Sequence, residues 1–339
     1  MGAVIIVDAM WGDSGKGKVC AHLARRDNVP LTVRAGVGTN AGASVTLDDG
    51  TLVKARQLPT GWLNPSTTVA VGSGVLVDPE VFLAEVSRFD LAGRALVDGR
   101  CALITPDHIA AERKDAHLAG VVGSTCTGNG AARADFILRR ARQARELPDL
   151  APYVTDVAKA VNAAARDGDV LVEGSQGTLL SLAFSSEYPY TTSDNCTAAA
   201  AMDDVGLNWQ LVSDVVMVVK ALPTRAGEGP LPFELCEQEI LRRGVAEYGV
   251  VTGRPRRKAA RLDWGLLEYA TMLNGPTKIA LTFCDHADPH MRGARSAADV
   301  TAPVRALIDR VEDVTGAPVT LLDTGPRLSD MIDLASGVT

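Results

Sequence analysis

Residues 11–18 combine glycines, an acid and two lysines in a short segment that could bind phosphate. The segment follows residues 3–7, an apolar run that predicts a buried strand, and precedes residues 19–24, which predict a helix. Glycine lets the backbone approach phosphate oxygens closely, a helix N-terminus offers unpaired N–H groups, and lysines supply positive charge. The chemistry indicated is therefore phosphate binding.

The spacing of Gly12, Gly17 and Lys18 also fits the phosphate-binding motif of P-loop NTPases. That motif needs serine or threonine after the lysine to hold magnesium, and Val19 stands there instead. The substitution argues against an ordinary P-loop NTPase or kinase. Asp13, inside the segment, is the nearest group that could replace the missing metal ligand or act as a base.

Short apolar runs alternate with helical patterns along the chain, which predicts an α/β fold with a central, mostly parallel β-sheet flanked by helices. The other predicted strands are residues 31–34, 67–71, 101–104, 170–173, 215–221, 278–283 and 319–322. The predicted helices are residues 79–88, 133–145, 154–166, 263–273 and 303–314. A turn at residues 48–50 predicts a small β-hairpin within residues 44–58. We expect a single large domain that spans residues 1–339.

Composition excludes several classes of function. Of the 339 residues, 46% are hydrophobic and 22% are charged, and the net charge of −7 argues against a nucleic-acid partner. No apolar run approaches the ~18 residues of a membrane helix, and no secretion signal is recognisable, so we expect a cytoplasmic protein, in the host cytoplasm if the source is viral. The six cysteines lack C-x-x-C spacing, which favours reduced, structural thiols.

Further glycine- and threonine-rich segments follow the first one along the chain. They are residues 34–44, 123–130, 173–180, 188–195, 224–230, 251–257 and 324–326. Long loops in a compact α/β protein are frequently functional. The order and spacing of these segments closely resemble the adenylosuccinate synthetase family over nearly the whole chain. The chain is shorter than the usual family member, so we expect peripheral segments to be missing.

The resemblance implies a carbon–nitrogen ligase that joins L-aspartate to C6 of a purine nucleotide, with a nucleoside triphosphate and Mg²⁺. The C6 oxo group leaves poorly, so it would first become a 6-phosphoryl ester, which the amine of aspartate then displaces. Asp13 would take the N1 proton of the purine, and Asp13 and the backbone carbonyl of Gly42 would ligate Mg²⁺. Lys16 would offset charge on the transferred group, and Gln176 would complete the catalytic set.

The resemblance also implies three groups of binding residues. The purine monophosphate would contact Ser14, Asn40, Thr125, Arg139, Gln176, Thr192, Ala226 and Arg254. Aspartate would contact Thr252, Gly253, Arg254 and Arg256. The triphosphate would contact Gly12, Gly15, Lys16, Gly17, Lys18, Arg256, Phe283, Asp285, Asp323 and Gly325. Arg139 would reach into the active site of a second subunit, which implies a homodimer.

The sequence departs from the family pattern at positions that bear on function. Ala43 stands where ordinary members have a histidine that helps to polarise the reacting phosphate. Ser14 replaces a glutamate beside Asp13, which fits a base with an extra substituent such as the 2-amino group of guanine, and fits neutral drift equally. Phe283 replaces the lysine of a guanine-binding T-K-x-D motif, and Asp323 replaces a serine. The last two changes predict ATP or dATP as the donor.

Together these departures resemble the bacteriophage PurZ branch of the family, which converts dGMP to N6-succino-2-amino-2′-deoxyadenylate, a precursor of diaminopurine DNA. The predicted reaction is therefore ligation of L-aspartate to dGMP with ATP or dATP. The alternative is an ordinary adenylosuccinate synthetase that uses IMP, aspartate and GTP. A nucleotide-binding regulatory protein without catalysis is a third hypothesis, motivated by Ala43. It is disfavoured by the joint retention of Asp13, Lys16, Lys18, Gln176 and Arg254.

Overall fold

The structure is a computed structural model that describes residues 2–251 and 253–334. The strands are β1 (Gly2–Asp8), β2 (Leu31–Arg34), β3 (Ala43–Thr46), β4 (Leu52–Ala55), β5 (Thr68–Val71), β6 (Ala95–Asp98), β7 (Val154–Thr155), β8 (Asp169–Glu173), β9 (Val212–Lys220), β10 (Thr224–Arg225), β11 (Arg257–Lys258), β12 (Lys278–Thr282), β13 (Val319–Asp323) and β14 (Met331–Asp333). The α-helices are α1 (Lys16–Arg26), α2 (Pro79–Arg88), α3 (Pro106–Lys114), α4 (Asn129–Ile137), α5 (Val157–Asp167), α6 (Ala198–Asp204), α7 (Glu237–Arg243), α8 (Trp264–Asn274), α9 (Cys284–Ala287) and α10 (Ala302–Thr315). Short helical turns lie at Thr60–Leu63, His117–Val122, Ala144–Glu146, Pro148–Tyr153, Thr178–Leu180, Trp209–Leu211, Pro289–Met291 and Ala297–Asp299. None of the helices in these ranges is long and apolar enough to span a bilayer.

Within the described ranges, ten strands form one sheet in the order β14-β13-β12-β9-β1-β8-β2-β5-β6-β7. Every neighbouring pair in this sheet is parallel except β13 and β14, which are antiparallel. Two short antiparallel ladders, β3–β4 and β10–β11, stand apart from it. The predicted α/β fold with a mostly parallel sheet and a hairpin extension is confirmed.

The central strand β1 carries the phosphate-binding segment at its carboxyl end. It lies between β8 and β9, and its side chains alternate between two separate clusters of buried apolar residues. Ile5 packs in the cluster that includes residues from α5 and α8, whereas Ile6 packs against Val19 and Leu23 of α1. Helices on both faces explain why this strand is a continuous apolar run in the sequence. Ligands of such sheets bind beyond the carboxyl ends of the strands.

Three predicted elements differ from the structure. The helix predicted over residues 154–166 begins only at Val157, because Val154 and Thr155 form β7. Residues 101–104 form isolated bridges rather than a strand, since Ala102 pairs with Gln143 and Leu103 pairs with Val77. The strand in this region is instead β6, which lies between β5 and β7. The helix predicted over residues 133–145 is α4, and it ends at Ile137. Arg139 has a φ of 58°, a left-handed conformation that cannot continue a right-handed helix.

The six cysteines are free thiols that differ in exposure. Cys126 is partly exposed and Cys236 is exposed. The buried ones are Cys20, Cys101, Cys196 and Cys284. Burial raises the pKa of each of these four thiols, so they remain protonated at neutral pH.

Candidate active site

A cavity opens at the carboxyl edge of the sheet, where several loops meet. It is lined by residues 11–17, 34, 40–44, 125, 173–176, 180, 226, 247–248, 250–251, 256 and 283. A second cavity adjoins it and shares Asn40, Thr125, Gln176, Leu180 and Ala226 with the first. The structure therefore brings together most of the predicted site, namely Gly12, Asp13, Ser14, Gly15, Lys16, Gly17, Asn40, Gly42, Thr125, Gln176, Ala226, Arg256 and Phe283.

The phosphate loop, residues 9–15, connects β1 to α1 in an unusual backbone conformation. Gly12, Asp13 and Gly15 have φ values of 89°, 52° and 85°, all in the left-handed region. No side chain caps the N-terminus of α1, and its first turn contains no acidic residue. The first N–H groups of α1 are therefore free of a competing side-chain cap and suited to an anion.

Lys16 points to the edge of the cavity. Its Nζ donates to the backbone carbonyl of Gln176 and lies 3.4 Å from Asp8 Oδ2. Asp8 is buried and also accepts a hydrogen bond from Met10 N at 2.6 Å. One buried carboxylate thus balances the ammonium charge and holds Lys16 at the lining of the cavity, and its phosphate contact stays a prediction.

Asp13 forms an ion pair with Arg256 across the cavity, through Oδ2 and Nε. The Asp13 side chain is 29% exposed and that of Arg256 is 9% exposed. Arg256 packs closely on Gly249, where an added Cβ would lie 2.5 Å from a guanidinium nitrogen. The ion pair places the Asp13 carboxylate at the wall of the cavity, where it could accept a proton or contact a metal ion.

The donor set fits a magnesium site that substrates complete. Mg²⁺ is usually held by one or two carboxylates together with waters and substrate phosphates. Asp13 and Gly42 line the same cavity, and among residues 2–251 and 253–334 no group of three or more His, Cys, Asp or Glu side chains could hold a metal alone. Asp13 would supply a carboxylate oxygen and Gly42 a carbonyl oxygen. When bound, the ion would neutralise phosphate charge.

Three predicted purine-nucleotide contacts form a hydrogen-bonded chain. Gln176 Nε2 donates to Asn40 Oδ1 at 2.8 Å, and Asn40 Nδ2 donates to Thr192 Oγ1 at 3.2 Å. These residues come from three loops that are distant in sequence. Their side-chain amides are therefore oriented by one another before they could contact a nucleotide.

The predicted aspartate loop lies only partly beside the main cavity. Gly253 is exposed with a φ of 66°, and Thr252 lies outside the described residues. Arg254 lines a third cavity together with Arg56, Arg113 and Thr125. Since Thr125 lines both cavities, the arginine-rich space adjoins the Asp13 site. A dicarboxylate would find positive charge there.

Lys18 lies away from the main cavity, contrary to the predicted phosphate contact. Its Nζ donates to Asp323 Oδ1 at 2.6 Å, to the Gly325 carbonyl at 2.7 Å and to the Asp330 carbonyl at 3.0 Å. These three acceptors use all the protons of the ammonium group. Lys18 therefore ties α1 to the loop after β13, and Asp323 serves as its counterion.

An aromatic ring and two carboxylates lie near the start of α1. An added Cβ on Gly15 would lie 3.5 Å from the Phe283 ring and 3.8 Å from Asp323 Oδ2. Asp285 is buried and lies 3.4 Å from Arg292 Nε. Burial raises the pKa of Asp285, and the nearby Asp323 adds to the rise. A purine base with amino or imino N–H groups could stack and donate hydrogen bonds here.

Sequence reasoning missed a buried charged cluster beneath the phosphate loop. Glu247 Oε2 accepts from Lys220 Nζ at 2.6 Å, and Glu247 Oε1 contacts Lys258 Nζ. The two lysine side chains are 2% and 0% exposed, and His286 Nδ1 lies 3.1 Å from Lys258 Nζ. The one signal in the sequence was Lys220 itself, a charge inside an apolar run.

Three members of the cluster, Glu247, Lys258 and His286, have shifted pKa values. Burial would raise the pKa of Glu247, but Lys220 and Lys258 more than offset it and hold the pKa below its ordinary value. Burial, assisted by Lys220, lowers the pKa of Lys258 to about 8. Burial also lowers the pKa of His286 to about 4, so its ring is neutral at pH 7.

A second buried group, to which the sequence analysis assigned no role, supports the first turn of α1. Arg34 and Glu173, register partners at the ends of β2 and β8, form a buried ion pair. Glu173 Oε2 also accepts from the Thr60 backbone N–H at 2.8 Å, and Thr60 Oγ1 donates to the Gly17 carbonyl at 2.6 Å. An added Cβ on Gly17 would lie only 2.6 Å from Ala43 Cβ, so glycine is needed for the hairpin to approach α1.

Arg139 is exposed just beyond the end of α4 and lines none of the cavities described above. Its predicted contact with a second subunit stays a prediction.

Asp204 gives the chain a pH-dependent stability near neutral pH. Its Oδ2 accepts from Gly36 N at 2.8 Å, and burial raises its pKa to about 7. Between about pH 4 and 7 the folded state keeps a proton that the unfolded state releases, so stability falls as pH rises. Asp204→Asn should therefore stabilise the protein by about 1 kcal/mol or more at pH 8, and less at pH 4. Urea unfolding of this variant and the exposed Asp203→Asn would test it; equal gains for both would contradict it.

Fold and site together define an α/β protein whose cavity is suited to nucleotide phosphates and a purine base. The sequence profile of the adenylosuccinate synthetase family matches residues 5–149 and 142–292. The adenylosuccinate synthetase of Archaeoglobus fulgidus is 44% identical over 335 residues, which cover 98% of each chain. That of Thermococcus sibiricus is 43% identical over 342 residues, which cover 100% of each chain. The chain belongs to the adenylosuccinate synthetase family, and it is a carbon–nitrogen ligase that joins aspartate to a purine nucleotide.

Two solved structures resemble this one over almost its full length. The fully ligated adenylosuccinate synthetase from Plasmodium falciparum has a TM-score of 0.88 at 21% identity, covering 98% of this chain and 100% of its own. The succinoaminodeoxyadenylate synthetase (PurZ) of cyanophage S-2L, bound to dGMP and dATP, has a TM-score of 0.79 at 25% identity, covering 98% of this chain and 95% of its own.

Proposed function

We propose that this enzyme is an ordinary adenylosuccinate synthetase, which ligates L-aspartate to IMP with GTP as the phosphate donor. The observation that carries the proposal is the convergence of Asp13, Lys16 and Gln176 on one cavity. The full-length similarity to archaeal adenylosuccinate synthetases supports IMP as the acceptor over dGMP.

In this proposal the residues of the main and the third cavity divide the work of two steps. Asp13 removes the N1 proton of the purine, so that O6 becomes nucleophilic enough to attack the γ-phosphate of the donor. Lys16 and the N–H groups at the start of α1 stabilise the charge on the transferred phosphoryl group. Arg254 and Arg256 then hold the carboxylates of aspartate while its amine displaces the phosphate from C6. Gln176 and Asn40 position the purine nucleotide.

A second candidate acceptor is dGMP, which the side chain of Ser14 favours. Ser14 lines the cavity and is 2% exposed, yet its Oγ has no hydrogen-bond partner among the described residues. An unpaired buried hydroxyl is costly, and the 2-amino group of guanine could donate to it. The structural likeness to a PurZ bound to dGMP and dATP supports the same reading. The ring of Phe283 and the carboxylate of Asp323 would suit an adenine donor in this case.

An assay with two acceptors and two donors would decide between these candidates. IMP or dGMP is incubated with L-aspartate, Mg²⁺ and either GTP or ATP, and succinylated nucleotide is quantified by mass spectrometry. We expect kcat/KM for IMP with GTP to exceed every other pair by about 10-fold, roughly 1.4 kcal/mol of transition-state binding. A preference for dGMP with ATP would establish the second candidate. A doubly phosphorylated acceptor formed without aspartate would overturn both.

A further inference from the structure

Two successive carbonyl groups of the phosphate loop are tied to side chains of the central sheet. The Asp13 carbonyl accepts from Lys220 Nζ at 2.8 Å, and the Ser14 carbonyl accepts from Thr282 Oγ1 at 2.7 Å. Lys220 and Thr282 are the last residues of β9 and β12 and are register partners in the sheet. Two adjacent strand ends therefore hold two adjacent peptides.

These contacts fix the direction in which the loop N–H groups point. In a trans peptide the C=O and N–H bonds point to opposite sides. The peptides that follow Asp13 and Ser14 are trans, since the cis peptide bond of the described residues lies between Tyr188 and Pro189. With the carbonyls of Asp13 and Ser14 directed at the strand ends, the N–H groups of Ser14 and Gly15 point away from them. Successive N–H groups held in this way form a concave anion-binding surface.

Lys220 is placed to orient the backbone and not to contact a ligand itself. Its Nζ donates to the Asp13 carbonyl, to Thr224 Oγ1 at 2.9 Å and to Glu247 Oε2 at 2.6 Å, which uses all three protons. The centroid of the Phe283 ring also lies 4.1 Å from Nζ, a cation–π contact within the protein.

We propose that Lys220 and Thr282 form a carbonyl clamp, a pair of positioning residues that orient the Ser14 and Gly15 N–H groups toward the phosphates of the nucleoside triphosphate. The clamp adds detail to the proposed function. It depends on one part of that function, namely that the phosphate loop binds a triphosphate. Loss of either donor frees its peptide to rotate, because the left-handed backbone at Asp13 is costly to maintain without support and Gly15 adopts other conformations freely.

Thr282→Val tests the clamp because it removes the hydroxyl and keeps the shape of the side chain. The Kd values of GTP, ATP and inorganic tripolyphosphate, each with Mg²⁺, are measured by calorimetry. We expect Kd for tripolyphosphate to rise about 10-fold in Thr282→Val, the effect of one lost hydrogen bond, and to stay within about 2-fold in Thr282→Ser. The KM values of the purine acceptor and of aspartate should not change.

Thr67→Val is the matched control, since Thr67 is also buried and its Oγ1 donates to a backbone carbonyl, that of Val29, at 2.6 Å. It should lower the free energy of unfolding at least as much as Thr282→Val and leave triphosphate binding unchanged. Lys220→Met should weaken tripolyphosphate binding by about 30-fold or more. Folded Thr282→Val that binds tripolyphosphate like the parent would overturn the clamp.

The same measurements separate the clamp from the proposed function. A parent enzyme that binds tripolyphosphate but forms no succinylated nucleotide would refute the ligase proposal, and the Thr282 variants would still decide the clamp. A parent enzyme that binds none of the three triphosphates would overturn both.

Discussion

Replacing Asp13 by asparagine should lower kcat by about 10³-fold or more, because general-base catalysis contributes up to about 10⁴-fold and the amide cannot accept the purine proton. Asparagine tolerates left-handed backbone well, so the φ of 52° at this position should persist. The variant also loses the charge that pairs with Arg256, and we expect weaker Mg²⁺-dependent binding of the triphosphate. Steady-state assays and calorimetry would measure the two effects separately.

Asp309→Asn, an exposed change on α10, is the matched control and should keep parental activity. Unfolding of both variants in urea would show whether lost activity reflects lost structure. An Asp13→Asn enzyme with kcat within about 10-fold of the parent would mean that another group removes the proton.

Replacing Glu247 by glutamine should lower the free energy of unfolding by about 3–5 kcal/mol at pH 7, because it leaves Lys220 and Lys258 as buried cations without a counterion. The loss should shrink as pH rises toward the pKa of Lys258, which is about 8 in the parent and which Glu247 raises. Without Glu247 the folded variant releases the Lys258 proton at a lower pH than the parent does, so its stability rises relative to the parent up to about pH 8, and the difference is constant above that pH.

Urea unfolding at pH 7 and pH 9 would test this expectation, with the exposed Glu268→Gln on α8 as the control. Equal midpoints for Glu247→Gln and the parent at pH 7 would contradict it. So would a difference that grows between pH 7 and pH 9.

Elements with a local sequence signal were predictable from the sequence. Elements that depend on pairing between distant residues were not. Residues 31–34 and 79–88 coincide with β2 and α2, because a covered strand and a helix with an Asp78 N-cap carry local signals. Residues 101–104 are equally apolar but pair only through isolated bridges. Nothing local distinguishes a buried connection from a strand, because both are apolar runs of similar length.

In the candidate site, too, the sequence predicted the features with a local signal and not those that depend on distant residues. The glycine-rich segments identified the lining of the cavity, since loops at the carboxyl edge of a parallel sheet meet in space. Sequence could not show that Lys18 faces Asp323, because Lys16 and Lys18 have the same chemistry and differ only in direction. Glu247 was missed because its partners, Lys220 and Lys258, come from separate strands.

The uneven exposure of the cysteines has a practical consequence. A thiol reagent meets Cys126 and Cys236 in the native protein and encounters the other four sulfur atoms only after the chain opens. Labelling stoichiometry therefore counts opened molecules directly, without a fluorophore or an engineered probe. Because Cys126 adjoins Thr125 in the third cavity, its labelling rate can also report on occupancy there.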